Sequence, residues 1–167
     1  MNNYDSTADI IEHKRKVEYW LHDFARQLEN RSKVHDDSKF KSPEKELFDQ
    51  WTPELKQRAF GSDYYKQALD AMGEGVQYHY KANRHHPEHF ENGVNGMTLI
   101  DLVEMFCDWI AAAEARKTSV DLNHAQERFN LSPQLVEIFV NTLRDIDFVN
   151  EVEGVPVVEF TPSNYRV

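Results

Sequence analysis

The apolar positions of the first thirty residues recur at helical spacing. Ile10, Val17, Trp20, Leu21, Phe24 and Leu28 fall three and four apart, which predicts a helix over residues 7–30 with one buried stripe. Ser6 is the expected N-cap, with Asp9 three residues on. A short second helix is expected over 34–40. Ser42-Pro43-Glu44 and Thr52-Pro53-Glu54 each read as N-cap, proline and acidic first turn, opening short helices that end near Trp51 and Phe60. Ser62-Asp63 starts a longer helix, bent at Gly73-Glu74-Gly75, where two glycines cost about 2 kcal/mol of helix propensity. It resumes at Val76 and must stop by His86, because Pro87 follows.

A loop, Glu91-Asn92-Gly93-Val94-Asn95-Gly96, leads to a helix from Leu99 to about Lys117, capped by Thr98. Ser132-Pro133-Gln134 opens another over 133–147, with Leu135, Phe139, Leu143 and Ile146 along one face. The valines around Gly154 and Pro156 predict a short C-terminal hairpin or extended strap over 148–167. The pattern is that of an all-α chain of six to seven helices with a core at about 6–147, a single domain spanning 1–167.

The composition narrows the function. With 167 residues, 40% apolar and 29% charged, the chain is long enough to close one core and is neither disordered nor membrane-bound in character. No run of about 18 apolar residues is present, so no membrane span is expected. Met1-Asn2-Asn3-Tyr4-Asp5 lacks the basic-then-apolar pattern of a secretory signal. The lone Cys107, read as packed beside Asp108, fits a reducing cytoplasm. A net charge of −10 excludes a duplex-binding surface built on clustered Lys and Arg. Eight histidines, four of them between Tyr78 and Phe90, are the feature to explain.

A helical histidine on a buried face needs a partner, and a metal is one such partner. His13 is spaced four, three and four with Val17, Trp20 and Phe24, which puts it on the expected core stripe. Alone, it reads first as a core histidine bonded to a backbone carbonyl. His35-Asp36 can place an imidazole nitrogen and a carboxylate oxygen on one divalent ion, at about 2.0–2.2 Å from it. Lys39, four residues after His35, can hold an anionic oxygen beside that ion. The bland alternative is a solvated charged turn. His22-Asp23 serves as a control: His22 faces away from the stripe and no lysine follows at the fourth position.

If helix continues to His86, then His79, Asn83 and His86 share the face continued by Ala68 and Met72. His85 then points elsewhere, His89 lies in a loop, and Arg84 adds a cation for a phosphate or carboxylate. Of the two aspartates in the next helix, Asp101 sits three residues after Thr98, where capping accounts for it. Asp108, mid-helix between Cys107 and Trp109, is a charge that needs a partner if buried.

Taken in order, His13, His35-Asp36 and Asp108, with Lys39 three residues after Asp36, resemble the H…HD…D pattern of the HD-domain superfamily of metal-dependent phosphohydrolases. His35-Asp36-Asp37-Ser38-Lys39 matches that superfamily's H-D-x-x-K element. His85-His86-Pro87-Glu88, Asn92-Gly93 and Asp108-Trp109 are similar to the corresponding segment of its two-metal subgroup, with His79 as the further histidine. The combination also resembles a small uncharacterised family of bacteria and their phages. The resemblance spans roughly 13–117.

It implies an HD-like helical bundle in which His13, His35, Asp36 and Asp108 hold a divalent ion, Mn, Fe, Co, Zn, Ni or Mg, with room for a second. Lys39, His79, Asn83, Arg84, His85 and His86 would then bind the substrate. Lys39, Glu104 and His86 would carry the catalysis, Glu104 as an orienting carboxylate or base. The substrate class implied is a nucleotide or other small phosphoester, since small size and an acidic surface disfavour a polymer. A homodimer, with Trp51, Phe60 or the tail at the interface, fits the same resemblance. Two other readings stand beside it: a di-iron oxygenase of the HD type, and a non-catalytic HD-fold protein that binds a ligand or another protein.

Overall fold

The computed structural model describes residues 4–57 and 62–146. Among these residues the chain forms six α-helices and three short 3-10 helices and no strand, so the all-α class holds. The expected strap at 148–167 and Phe60 lie outside the described residues. The chain divides at His35 into two compact units, Met1–His35 and a second that begins at Asp36.

The first unit is α1, Thr7–Val34, a 28-residue helix about 42 Å long. Its start differs from the expectation: Ser6 makes no side-chain cap, and Asp5 instead accepts from the backbone N–H and hydroxyl of Thr7 at 3.0 and 2.6 Å. Pairs four residues apart line its surface, among them Glu12–Lys16 and Glu29–Lys33, both 2.6 Å. Each such pair adds about 0.3–0.5 kcal/mol. The expected burial of the stripe is not found, since no residue of α1 is buried and Trp20 is 59% exposed. A single helix has no second layer of its own against which to bury a face.

In the second unit a 3-10 turn, Asp37–Phe40, is followed by α2, Glu44–Lys56. The sequence suggested two helices here, but α2 runs through Pro53. A proline so near the C-terminal end removes one backbone bond and leaves the preceding turns intact. Helix α3, Asp63–Ala82, starts where Ser62 Oγ accepts from Tyr65 N at 3.3 Å. It bends at Gly73, whose φ of 30° and ψ of −95° are non-helical. Two residues on, α2 and α3 meet closely: a Cβ at Gly75 would run into Leu47 Cδ1. Helix α3 ends at Ala82, four residues short of the expected stop, and the backbone is extended at Asn83 and at His86, the residue before Pro87.

Two 3-10 turns, Pro87–His89 and Gly93–Gly96, lead to α4, Leu99–Arg116. A capping box joins Thr98 and Asp101 as the sequence predicts. Helix α5, Leu122–Phe129, was not anticipated, and Asp121 caps it. Helix α6, Pro133–Asp145, follows Ser132. Helices α4, α5 and α6 share a core of Met105, Phe106, Leu122, Val136, Phe139 and Leu143, among others, in which Phe106 stacks on Phe139 with centroids 4.4 Å apart. Cys107 falls off that face and is exposed rather than packed. No helix of the described residues is long and apolar enough to cross a membrane.

The bend in α3 generates a prediction. An ordinary Gly→Ala change within a helix is favourable by up to about 1 kcal/mol. Gly73 has open space around it but a positive φ, so Gly73→Ala should instead lower stability by about 1–2 kcal/mol in a urea titration. A gain in stability would show that α3 is straight at this point.

Candidate metal centre

Four stretches of the second unit build the site. The first begins at Asp36, in the left-handed conformation (φ 59°, ψ 15°) that aspartate tolerates better than most residues. Its carbonyl accepts from Lys39 N at 2.8 Å, and its Oδ2 accepts from Lys39 Nζ. The ammonium also lies 5.1 Å from the centre of the Phe48 ring. The second is the start of α2, where Glu44 is fully buried and its Oε2 lies 2.8 Å from His79 Nδ1. This contact is one helical turn from the Leu47–Gly75 approach on both helices, so the missing side chain at Gly75 lets Glu44 reach His79.

The third is the end of α3. His79 and Asn83, four apart, are both buried. Asn83 Nδ2 donates to Ser38 Oγ at 2.7 Å and to the His79 carbonyl at 2.9 Å, tying the Asp36 turn to α3. The fourth is the turn after α3, in which His86 N–H donates to the Asn83 carbonyl at 3.4 Å and which meets one face of α4. Arg84 makes two bonds to Asp101, 3.0 and 2.8 Å. His85 Nδ1 lies 3.4 Å from Glu104 Oε1. His86 feels the charge of Asp108. Arg128 secures the following turn by bonding Glu88 at 2.8 Å and Tyr80 Oη at 3.1 Å.

These pieces close on one another. His79 Nε2 and His86 Nε2 are 2.8 Å apart, and His79 Nε2 and His85 Nε2 each lie 3.5 Å from Asp36 Oδ1. His79, His85 and His86 offer nitrogens all within 4.8 Å of each other, and Asp36 and Asp108 offer oxygens equally close. Burial pushes the His79 imidazole below its ordinary pKa, helped by Lys39 and opposed by Asp36 and Glu44. Burial, then the neighbouring His85 and His79, pushes His86 down to about 2. Burial alone would raise the Asp101 carboxyl, but Arg84 and Thr98 hold it below its ordinary value.

The donor set fits a metal ion. Two imidazole nitrogens that face each other at 2.8 Å need a proton or a cation between them, and carboxylates complete the surroundings. The structure therefore brings together Asp36, Lys39, His79, Asn83, His85, His86, Glu104 and Asp108. The geometry differs from expectation in three ways. The face shared by His79, Asn83 and His86 is not helical, because α3 stops at Ala82; the turn through Arg84 and His85 returns His86 to His79 instead. His85, expected to point elsewhere, is only 2% exposed and lies between Asp36 and Glu104. Arg84 is held by Asp101, which gives it a partner within the fold.

His13 stands exposed on α1 in the first unit, and His35 is the last residue of that unit, bonded to Asp36 along the chain. Glu44 and Ser38 were missed. Acidic first-turn residues are explained by the helix dipole, so Glu44 carried no distinguishing signal in the sequence.

Residues 2–145 match the model of a family described as a family of unknown function, DUF5662. No curated protein and no solved structure matches the chain.

Two predictions follow from the geometry. Asp101→Ala removes a cap and both bonds to Arg84, whose guanidinium can turn to water. It should cost about 2–3 kcal/mol in urea unfolding while metal content is retained. The second concerns pH. Burial holds His79 and His86 below their ordinary pKa in the folded state, whereas in the unfolded chain they protonate near 6.5. Stability present above that pH is lost as pH falls through it, by at most about 1.4 kcal/mol per pH unit for each histidine. The loss is smaller for His86, which is partly exposed. The urea midpoint of metal-free protein should fall between pH 7.5 and 5, more steeply than in His86→Gln.

Proposed function

The chain belongs to the DUF5662 family, and within it we propose a metal-dependent phosphohydrolase that acts on a nucleotide or other small phosphoester. One observation carries the reading: three imidazoles and Asp36 converge in the interior, with His79 Nε2 2.8 Å from His86 Nε2. Asp36, Asp108, His79, His85 and His86 are the proposed ligands of the second unit. The resemblance to the HD superfamily adds His13 and His35 to the ligand set. Four carboxyl groups, Asp36, Glu44, Glu104 and Asp108, surround the imidazoles, with Lys39 as the ammonium beside them. A cation is favoured in such surroundings.

Imidazole-rich donors suit Mn, Fe, Co, Ni or Zn better than Mg, which prefers oxygen ligands and keeps its waters. A bound ion of this kind supplies a water of lowered pKa and polarises a phosphoryl oxygen. The chain's own residues do the rest. Lys39, leaning on Phe48 and Asp36, presents an ammonium to a phosphoryl oxygen. Glu104 orients His85 through Nδ1. His86, pushed down to about 2 by burial and its neighbours, acts as a neutral ligand and not as a general acid. Asn83 is spent on Ser38 and the backbone and serves to hold the turn. With Arg84 on Asp101, the positive charge for substrate rests with Lys39 and the ion.

A second reading, a di-iron oxygenase, is favoured by one observation: the His79, His85, His86 trio and the Asp36–Asp108 pair form two neighbouring ligand groups. Metal analysis separates the two. The phosphohydrolase predicts a first-row transition metal in protein as purified and phosphate release from a nucleotide panel. His85→Ala should weaken metal binding at least tenfold, and Asp36→Ala should abolish turnover. Two irons per chain with oxygen consumption would replace it by the second reading. Protein that binds no transition metal at micromolar concentration would exclude both.

A further inference from the structure

Resting on the reading of His79 as a ligand, we propose that Glu44 is a positioning residue that fixes His79 in the Nδ1–H tautomer. Its Nε2 lone pair is thereby presented to the cluster. The hydrogen count around Nδ1 leads there. Two groups lie within hydrogen-bond distance of this atom, Glu44 Oε2 at 2.8 Å and Asn83 Nδ2 at 3.0 Å. Asn83 has two amide hydrogens, and both have acceptors elsewhere, Ser38 Oγ at 2.7 Å and the His79 carbonyl at 2.9 Å. Neither is left for His79. An ionised Glu44 only accepts, so the hydrogen between it and His79 belongs to Nδ1.

The opposite ring nitrogen then carries a lone pair. It is the nitrogen that faces His86 Nε2 at 2.8 Å and Asp36 Oδ1 at 3.5 Å. A carboxylate behind a metal-binding imidazole sets its tautomer, fixes its ring and raises its basicity. Glu44 is placed for that and for little else. It is fully buried, it opens α2, and Oε1 has no hydrogen-bond partner among the described residues. Its Oε2 meets an imidazole on a neighbouring helix, at the point where Gly75 lets α2 and α3 approach. A carboxylate that served the helix dipole alone would sit in water.

The test is a long-range proton–nitrogen spectrum of the metal-free full chain with labelled histidine, His79 being assigned by its loss in His79→Gln. The expected result is a protonated Nδ1 and a bare Nε2. An Nε2–H tautomer in the unaltered protein overturns the proposal whatever any variant does. Among variants, Glu44→Leu should lose the tautomer preference and weaken Zn²⁺ or Mn²⁺ binding about 10–100-fold. Glu44→Gln keeps an acceptor, so it should retain the Nδ1–H form and restore most of the affinity. Equal weakening by both variants, or none by either, overturns the positioning role. If Glu44→Leu does not fold, the unaltered spectrum and Glu44→Gln still decide. A chain with the Nδ1–H tautomer that binds no metal upholds the assignment at His79 and overturns the metal reading alone.

Discussion

The interior of the second unit depends on how three consecutive residues meet one face of a helix. Arg84 and His85 leave α3 in a turn, with His86 N–H donating to the Asn83 carbonyl at 3.4 Å and extended backbone only at Asn83 and His86. Asp101, Glu104 and Asp108 stand three and four apart along α4. Each residue of the segment finds the next carboxylate in order: Arg84 with Asp101, His85 with Glu104, His86 with Asp108. Had α3 continued to His86, successive side chains would have turned by 100° each and only one could have faced α4. The early stop at Ala82 is therefore what assembles the site. Pro87 enforces it from one side, and Asn83, which spends its amide on Ser38 and the His79 carbonyl, from the other.

On the far side of the cluster the constraint is a close approach instead of a charge pairing. Gly75 admits Leu47, which brings α2 against α3 one turn from the Glu44–His79 contact. The bend at Gly73 lies just before this approach. His79 is thereby gripped at Nδ1 by one helix while its Nε2 faces His86 and Asp36. Both sides work to the same end, orienting imidazole rings whose other nitrogens converge.

The all-α class, the bend in α3 and the Thr98–Asp101 cap were legible because each depends on local periodicity or on a short motif. The site was legible in membership more than in geometry. Asp36, Lys39, His79, His85, His86, Glu104 and Asp108 were all singled out, yet the helical face drawn through His79, Asn83 and His86 does not exist. Propensity extends a helix until something stops it, and hydrogen bonds from Asn83 to residues far away in sequence are invisible to it. Glu44 was hidden for a different reason. Its position had a sufficient local explanation, and only the packing of α2 on α3 shows where the carboxylate goes. The stripe on α1 reads as buried in any sequence analysis, because periodicity reports which residues share a face and not what covers it.

The cluster is also a statement about cost. Buried carboxylates and imidazoles lose hydration, and such pairs are often no better for stability than apolar residues of similar size. Here Glu44 is fully buried with Oε1 unbonded among the described residues, and burial holds His79 and His86 below their ordinary pKa. The apolar core of α4, α5 and α6 carries no such burden and needs none of these groups to close. A second unit selected for stability alone would fill the space between α3 and α4 with side chains like those of its own core. That it gathers three imidazoles and four carboxyl groups there, and spends Gly75, Asn83 and Ser38 on keeping them aligned, is the physical case for a site and not a packing solution. A bound cation would relieve the lone-pair crowding between His79 and His86 and the excess of carboxylate together. The same ion would then stabilise the fold and serve the chemistry, because the unfolded chain offers it no comparable set of ligands.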